Sequence, residues 1–274
     1  MATSVSIIIP THNRPAWLRE CLEAIACDPW PEREVIVVND GGSDVTSVVA
    51  AMRPRLSMRL LQLPANRGHV FARNEGVRHA QGDVIVLCDD DDILIPGHLG
   101  RAVAAVAEDH DAIAYSDAEV VRYHWDGGIR KILDRSPFAY GFDASVLRQW
   151  NTVIPSGVAY ARQLHGRLGL FDEAMYHYWD WDFFLRASRL RPLRRIPVAS
   201  VLYMVSDAEH NLSAQPERMR EHLTRLRSKH FLDPLPSSSF AQMQSEPALA
   251  ALAQPTQIVW DGQWPVHLSA ALTS

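Results

Sequence analysis

The chain has 274 residues, 47% of them hydrophobic and 22% charged, with a net charge of −5. That length suits one large α/β domain or two small ones, and the balance is that of an ordinary soluble globular protein. It carries no basic block, so a phosphate-tracking surface and a nucleic-acid partner are not expected.

The first third alternates regularly. "VSIII" (5–9) is a continuous apolar run, broken by "PTHNRP" (10–15), after which Trp17, Leu18, Cys21, Leu22 and Ile25 recur at helical spacing. "EVIVV" (34–38) reads as a second buried strand, closed by "NDGGSD" (39–44) and followed by a helix through Val45, Val48, Val49 and Met52. "MRLLQL" (58–63) is a third strand, and "GHVFARNEGVRHAQG" (68–82) a helix with a glycine stop. "DVIVLC" (83–88) is the fourth strand, and "AIAYSD" (112–117) a fifth after a helix at 97–108. Strands alternating with helices imply a mainly parallel sheet, in which ligands bind beyond the carboxyl ends of the strands. Beyond about residue 118 aromatics and arginines interleave less regularly, and the Pro/Ser/Ala-rich stretch 233–255 reads as a loosely packed tail.

Cys21, Cys27 and Cys88 fit neither a disulfide set nor a zinc site and read as reduced core residues. No apolar run is long enough to cross a bilayer, and Met1 to Ser6 is no signal peptide. A soluble, cytoplasmic protein is expected, with peripheral contact to the inner face of a membrane left open.

Every unusual polar group falls at a strand end. Asp89, Asp90, Asp91 and Asp92 follow the fourth strand directly, and four adjacent like charges need an offset from solvent or a cation. A carboxylate pair separated by one residue can hold a hard divalent cation that also grips a diphosphate. The alternatives are a solvated turn, or an N-cap cluster for the helix near Pro96, with Asp92 the best capping candidate. Asp40 can accept from a nucleobase or a ribose, or merely shape a turn with Gly41 and Gly42. Arg73, projecting from the start of its helix, can meet phosphate. In "YHYWDWDFFLRASRL" (176–190), Asp180 and Asp182 sit among aromatic rings, which raises proton affinity and suits a general base; one of the pair is also a natural helix cap. His210, in "SDAEHNLS" (206–213), is a further candidate metal or phosphate ligand.

Together these stretches resemble the family 2 glycosyltransferases, inverting enzymes with a GT-A fold, over about residues 4–215. "VSIIIPTHNRP" looks like the family's opening strand and nucleotide loop, here Pro10, Thr11, Asn13 and Arg14. "EVIVVNDGGSD" resembles the strand whose terminal Asp, here Asp40, contacts the base. "NRGHVFARNEGVRHAQGDVIVLCDDDD" is similar to the signature leading into the Asp-x-Asp motif, while "GLFDE" (169–173) and "WDWDFFLR" (179–186) resemble the acceptor-side motif. The resemblance implies that Thr11 and Asp40 hold the nucleoside and Arg73 contacts the nucleotide. It implies that Asp89 and Asp91 form the Asp-x-Asp pair, with Asp91 a direct ligand of Mn²⁺ or Mg²⁺ and Asp90 facing ribose. Asp180 matches the catalytic base, with Asp182 as fallback. Trp179 stands where the family has Glu, and with Trp181 it would wall the acceptor side.

On this reading residues 1–118 are the nucleotide-sugar-binding half and 119–232 the acceptor-binding half of one α/β domain, and 233–274 are the tail. The partners implied are a nucleoside-diphosphate sugar, UDP-linked by preference, and a saccharide or glycoconjugate acceptor in surface polysaccharide synthesis. A nucleotidyltransferase would need a glycine-rich loop after the first strand, which "PTHNRP" does not supply. A non-catalytic sugar- or calcium-binding module would leave Asp180 and the nucleotide motifs without a role. Donor sugar, acceptor, linkage and oligomeric state are not written in any spacing.

Overall fold

The structure, a computed structural model, describes residues 3–126, 129–207, 216–235 and 246–264. Its first strand, β1 (Val5–Thr11), is buried at every position. Ile7 and Ile9 face one side of the sheet and Ile8 the other, the period of two that strand geometry imposes. A strand covered on both faces is mostly apolar; the exception in "VSIII" is Ser6, buried with its hydroxyl donating to Glu34 (2.6 Å).

Helix α1 (Pro15–Ala26) starts with proline at its first turn, where the missing N–H costs nothing, and buries Leu18, Cys21, Leu22 and Ile25. Truncating one of these leucines to alanine would cost about 2–5 kcal/mol. Next come β2 (Arg33–Asn39), α2 (Thr46–Met52), β3 (Ser57–Gln62), α3 (His69–His79) and β4 (Val84–Leu87). The parallel register β3-β2-β1-β4 brings the carboxyl ends of β1, β2 and β4 to one rim.

The second half extends the same sheet. It comprises β5 (Ile93–Leu94), α4 (His98–Glu108), β6 (Ile113–Asp126), β7 (Ile129–Phe138), α5 (Ala144–Leu147), β8 (Ala159–Ala161), α6 (Leu164–Leu168), α7 (Trp179–Ser188), β9 (Arg194–Ser206), α8 (Pro216–His230), α9 (Pro247–Ala250) and β10 (Gln257–Ile258). The sheet has ten strands among the described residues, with β8 inserted antiparallel between β4 and β6. The fifth strand expected at 112–117 is therefore the start of a 14-residue strand that does not pair with β4. Helices α1, α2 and α4 pack on one face, and α3, α7 and α8 on the other.

Three expectations are corrected. Gly82 does not stop α3, which ends at His79; a Cβ on Gly82 would lie 2.6 Å from the Ser6 amide nitrogen, so glycine permits close strand approach. The tail is not loose where it is described: β10 adds to β9, and Leu249 and Trp260 are buried. Cys21 and Cys88 are free, buried thiols 3.6 Å apart, but Cys27 is only partly buried.

Candidate active site

Residues 10–14, 39–40 and 89–91 meet along the rim of the parallel strands, opposite the start of α7. Between them lies a cavity of about 480 Å³. Pro10, Thr11, Arg14, Asp40, Arg73, Asp89, Asp90, Asp91, Trp179, Asp180 and Trp181 all line it. Those residues span most of the chain, and the parallel crossovers bring them together.

The four aspartates meet four different environments. Asp89 pairs with Arg73, whose guanidinium lies 4.1 Å from the Trp179 ring centroid. Asp90 accepts from the Thr11 hydroxyl (2.6 Å), and burial with the Asp91 charge pushes its pKa up to about 7. Asp91 takes Arg14 at 2.7 Å, while its main-chain carbonyl accepts from Arg130 at 2.9 Å. Asp92 caps no helix. It is 1% exposed, accepts from Ser156 Oγ (2.5 Å) and Met204 N (3.0 Å), and pins the turn to β9. Burial and the charges of Asp91 and Asp89 raise its pKa well above the carboxylate range. Asp28 does the capping instead, accepting from the amides of Gly97 (2.8 Å) and Leu99 (3.3 Å) where α4 begins.

One carboxylate oxygen each from Asp89, Asp91 and Asp92 lies within 4.8 Å of the others. Such hard oxygen donors suit Mg²⁺ or Mn²⁺. Asp92 is already committed to Ser156 and Met204, so Asp89 and Asp91 are the two carboxylates of this group that face the cavity. Arginine charge at present offsets both.

Asp40, just past the end of β2, shapes the loop before α3. Its two oxygens accept from the amides of Arg67 (2.7 Å) and Gly68 (2.8 Å), which draws that loop over the rim. Gly41 makes this possible: its φ is +64°, and a Cβ there would meet the Ala65 carbonyl carbon at 2.3 Å. Arg73 is buried and projects from within α3 rather than from its start. Its neighbour His69 is held well below its ordinary pKa by burial and by the Arg73 charge, so it stays neutral.

Asp180 and Asp182 both lie in the first turn of α7, and neither caps it. Asp180 accepts from Asn151 Nδ2 at 2.8 Å, and burial pushes its pKa up to about 6. Asp182 does not line the cavity. It accepts from Arg186 (2.9 Å), Lys229 (2.7 Å) and His230 (2.8 Å). Burial works to raise its pKa, but the His230 hydrogen bond and the Arg186 and Lys229 charges outweigh it and bring it to about 2.

Asn13, a further candidate, is not among the residues that line the cavity. It has a φ of +58° and accepts from Ser43 N at 2.8 Å, bracing the loops after β1 and β2. His210 lies outside the described residues. Sequence reasoning missed Asn151 and Arg130, which reach Asp180 and the Asp91 carbonyl from 29 and 39 residues away. No local signal marks either one. His69, adjacent to the Gly68 turn, could have been found from the same signature that supplied Arg73.

The model of the family described as Glycosyl transferase family 2 matches residues 6–168. An uncharacterized glycosyltransferase of Bacillus subtilis, YwdF, is 42% identical over 96% of this chain and 97% of its own length. A PGL/p-HBAD biosynthesis glycosyltransferase of Mycobacterium tuberculosis is 29% identical over 68% of this chain and 70% of its own. Among solved structures, S. aureus TarS 1-349 in complex with UDP-GlcNAc superposes with a TM-score of 0.63 at 22% identity, covering 82% of this chain and 66% of that one. The mannosyltransferase PcManGT from Pyrobaculum calidifontis, in complex with GDP-Man and Mn²⁺, gives 0.59 at 20% identity, covering 89% and 68%. At such identities the structural likeness concerns the fold, which is GT-A.

Proposed function

The chain belongs to glycosyl transferase family 2 and is a glycosyltransferase, and from that premise we propose that it moves a sugar from a nucleoside-diphosphate sugar, UDP-linked by preference, to an acceptor hydroxyl with inversion. The contrast between Asp180 and Asp182 carries this reading. Asp180 is a cavity-facing carboxyl with a raised pKa, the state a general base needs near neutrality. Asp182 is held too acidic, and too far inside its cation cluster, to serve.

Asp180 takes the proton of the acceptor hydroxyl, while Asn151 holds one oxygen of its carboxylate. The freed oxygen attacks the anomeric carbon in a single displacement. Thr11, Asp40 and the Gly68 loop would hold the nucleoside, and Arg14 and Arg73, which line the same cavity, would meet the diphosphate. Asp89 and Asp91 would hold Mn²⁺ or Mg²⁺, which when bound supplies positive charge against the departing diphosphate. Trp179 and Trp181 keep the base dry, and Trp181 is anchored by its own hydrogen bond to the Leu147 carbonyl (2.6 Å). The relatives' names and complexes support a nucleotide-sugar donor. A saccharide or glycoconjugate acceptor in surface polysaccharide synthesis, encountered in the cytoplasm, completes the proposal.

The test is a thermal-shift screen of nucleotide sugars with and without Mn²⁺, because a ligand of the native state raises the melting temperature. A shift with UDP-sugars plus Mn²⁺ is expected. No shift with any nucleotide sugar would remove the donor assignment.

A further inference from the structure

Just past the end of α8 lies the most exposed large hydrophobic side chain among the described residues. Phe231 is 86% exposed and sits at φ +53°. A bulky residue in the left-handed region is strained, and an exposed ring gains no packing to offset that strain. The turn is nevertheless firmly built. Arg148 donates to the Phe231 carbonyl (2.7 Å), Arg227 to the Leu232 carbonyl (3.2 Å), and Arg189 lies 3.2 Å from His230 Nδ1. Three guanidiniums thus meet the turn that carries the ring, and among the described residues none of the three pairs with a carboxylate. In the segment 226–235 the one acid is Asp233.

We propose that this turn is a docking surface for an anionic lipid bilayer, with Phe231 entering the headgroup region and Arg148, Arg189 and Arg227 meeting lipid phosphates. A protein partner fits poorly. A stable interface needs about 800 Å² per side, and among the described residues the other exposed large hydrophobics, Ile129, Leu133, Leu252 and Ile258, lie on other segments of the chain. A bilayer needs only an interfacial aromatic and neighbouring cations, each cation contributing through the surface potential.

The placement also links the surface to the cavity. Helix α8 lines the cavity with Met219 and Leu223, and Leu223 is eight residues, about 12 Å, from Phe231. Arg148 immediately precedes the cavity residues Gln149, Trp150 and Asn151. Docking would therefore set the Asp180 side of the cavity towards the membrane, where an acceptor attached to lipid would be presented. Only that last link rests on the proposed function; the docking surface itself does not.

Co-sedimentation of the full chain with phosphatidylcholine vesicles, with and without phosphatidylglycerol, tests the surface. Binding to the anionic vesicles alone, weakened by salt, is expected. Phe231→Gly should bind them several-fold less, with a melting temperature no lower than the parent's, because glycine accepts the positive φ. An Arg189→Gln/Arg227→Gln variant should lose most of the salt-sensitive binding. Parent-like binding by Phe231→Gly, or no binding by the parent, overturns the proposal. A marked drop in melting temperature for Phe231→Gly would make the residue structural and overturn it too. Mn²⁺–UDP binding should be unchanged in Phe231→Gly, so a failure of docking and a failure of the donor assignment are read separately.

Discussion

Asp180 and Asp182 lie on the same turn of α7, yet one carboxyl is raised to about 6 and the other lowered to about 2. Asp180 lines the cavity, where main-chain amides at the start of α7 and the Asn151 side chain donate to it and no cation pairs with it directly. Asp182 faces inward among Arg186, Lys229 and His230. Burial acts on both; the His230 hydrogen bond and the Arg186 and Lys229 charges decide the difference.

Asp180→Asn should therefore leave Mn²⁺–UDP binding intact and cut turnover by about 10²-fold or more, the loss expected for a general base. Turnover and calorimetric titration on the same preparation separate the two effects. An active Asp180→Asn enzyme would remove the proposed mechanism.

The same carboxyl sets a pH dependence. Asp180 must be ionised to accept a proton, so kcat should fall about tenfold per pH unit below about 6 and level off above it. A flat profile across that region, with chemistry rate-limiting, would point to another base.

Asp182→Asn should cost stability rather than chemistry. The folded pKa lies below the unfolded value of about 3.9, so its contribution is present at neutral pH and is lost as pH falls towards about 2. Losing this buried acceptor of Arg186, Lys229 and His230 should cost on the order of 2–4 kcal/mol at pH 7. Urea unfolding at pH 7 and pH 3 measures it; the deficit against the parent should shrink at the lower pH.

Asp92→Ala should also destabilise, because it orphans the Met204 amide and the Ser156 hydroxyl at about 1–3 kcal/mol each. A mild effect on the melting temperature would mean that the turn relaxes to find other partners. Asp91→Asn, by contrast, should keep the fold and lose metal-supported nucleotide binding.

UDP should bind more weakly in EDTA than with Mn²⁺, since Asp89, Asp90 and Asp91 repel a bare diphosphate. Titration calorimetry under both conditions decides it. Equal affinities would make Arg14 and Arg73 sufficient counter-ions on their own.

The sequence by itself determined the parallel half of the sheet. Mostly apolar runs such as "VSIII" and "EVIVV" encode strands covered on both faces, Pro15 opens α1, and polar breaks place Thr11, Asp40 and Asp89 on one rim. Those signals are local, because backbone conformation and strand periodicity depend on residues close in the chain. What each aspartate does was decided only by the tertiary structure. Asp92 looked like a helix cap from its neighbours, but Ser156 and Met204, 64 and 112 residues away, make it a buried clamp. Resemblance alone favours Asp180 over Asp182 as the base; what sets their environments apart is that Asn151 reaches one and His230 and Lys229 the other. A carboxyl's charge state follows from desolvation and from charges a few ångströms away, and spatial neighbours of that kind are assigned by the fold.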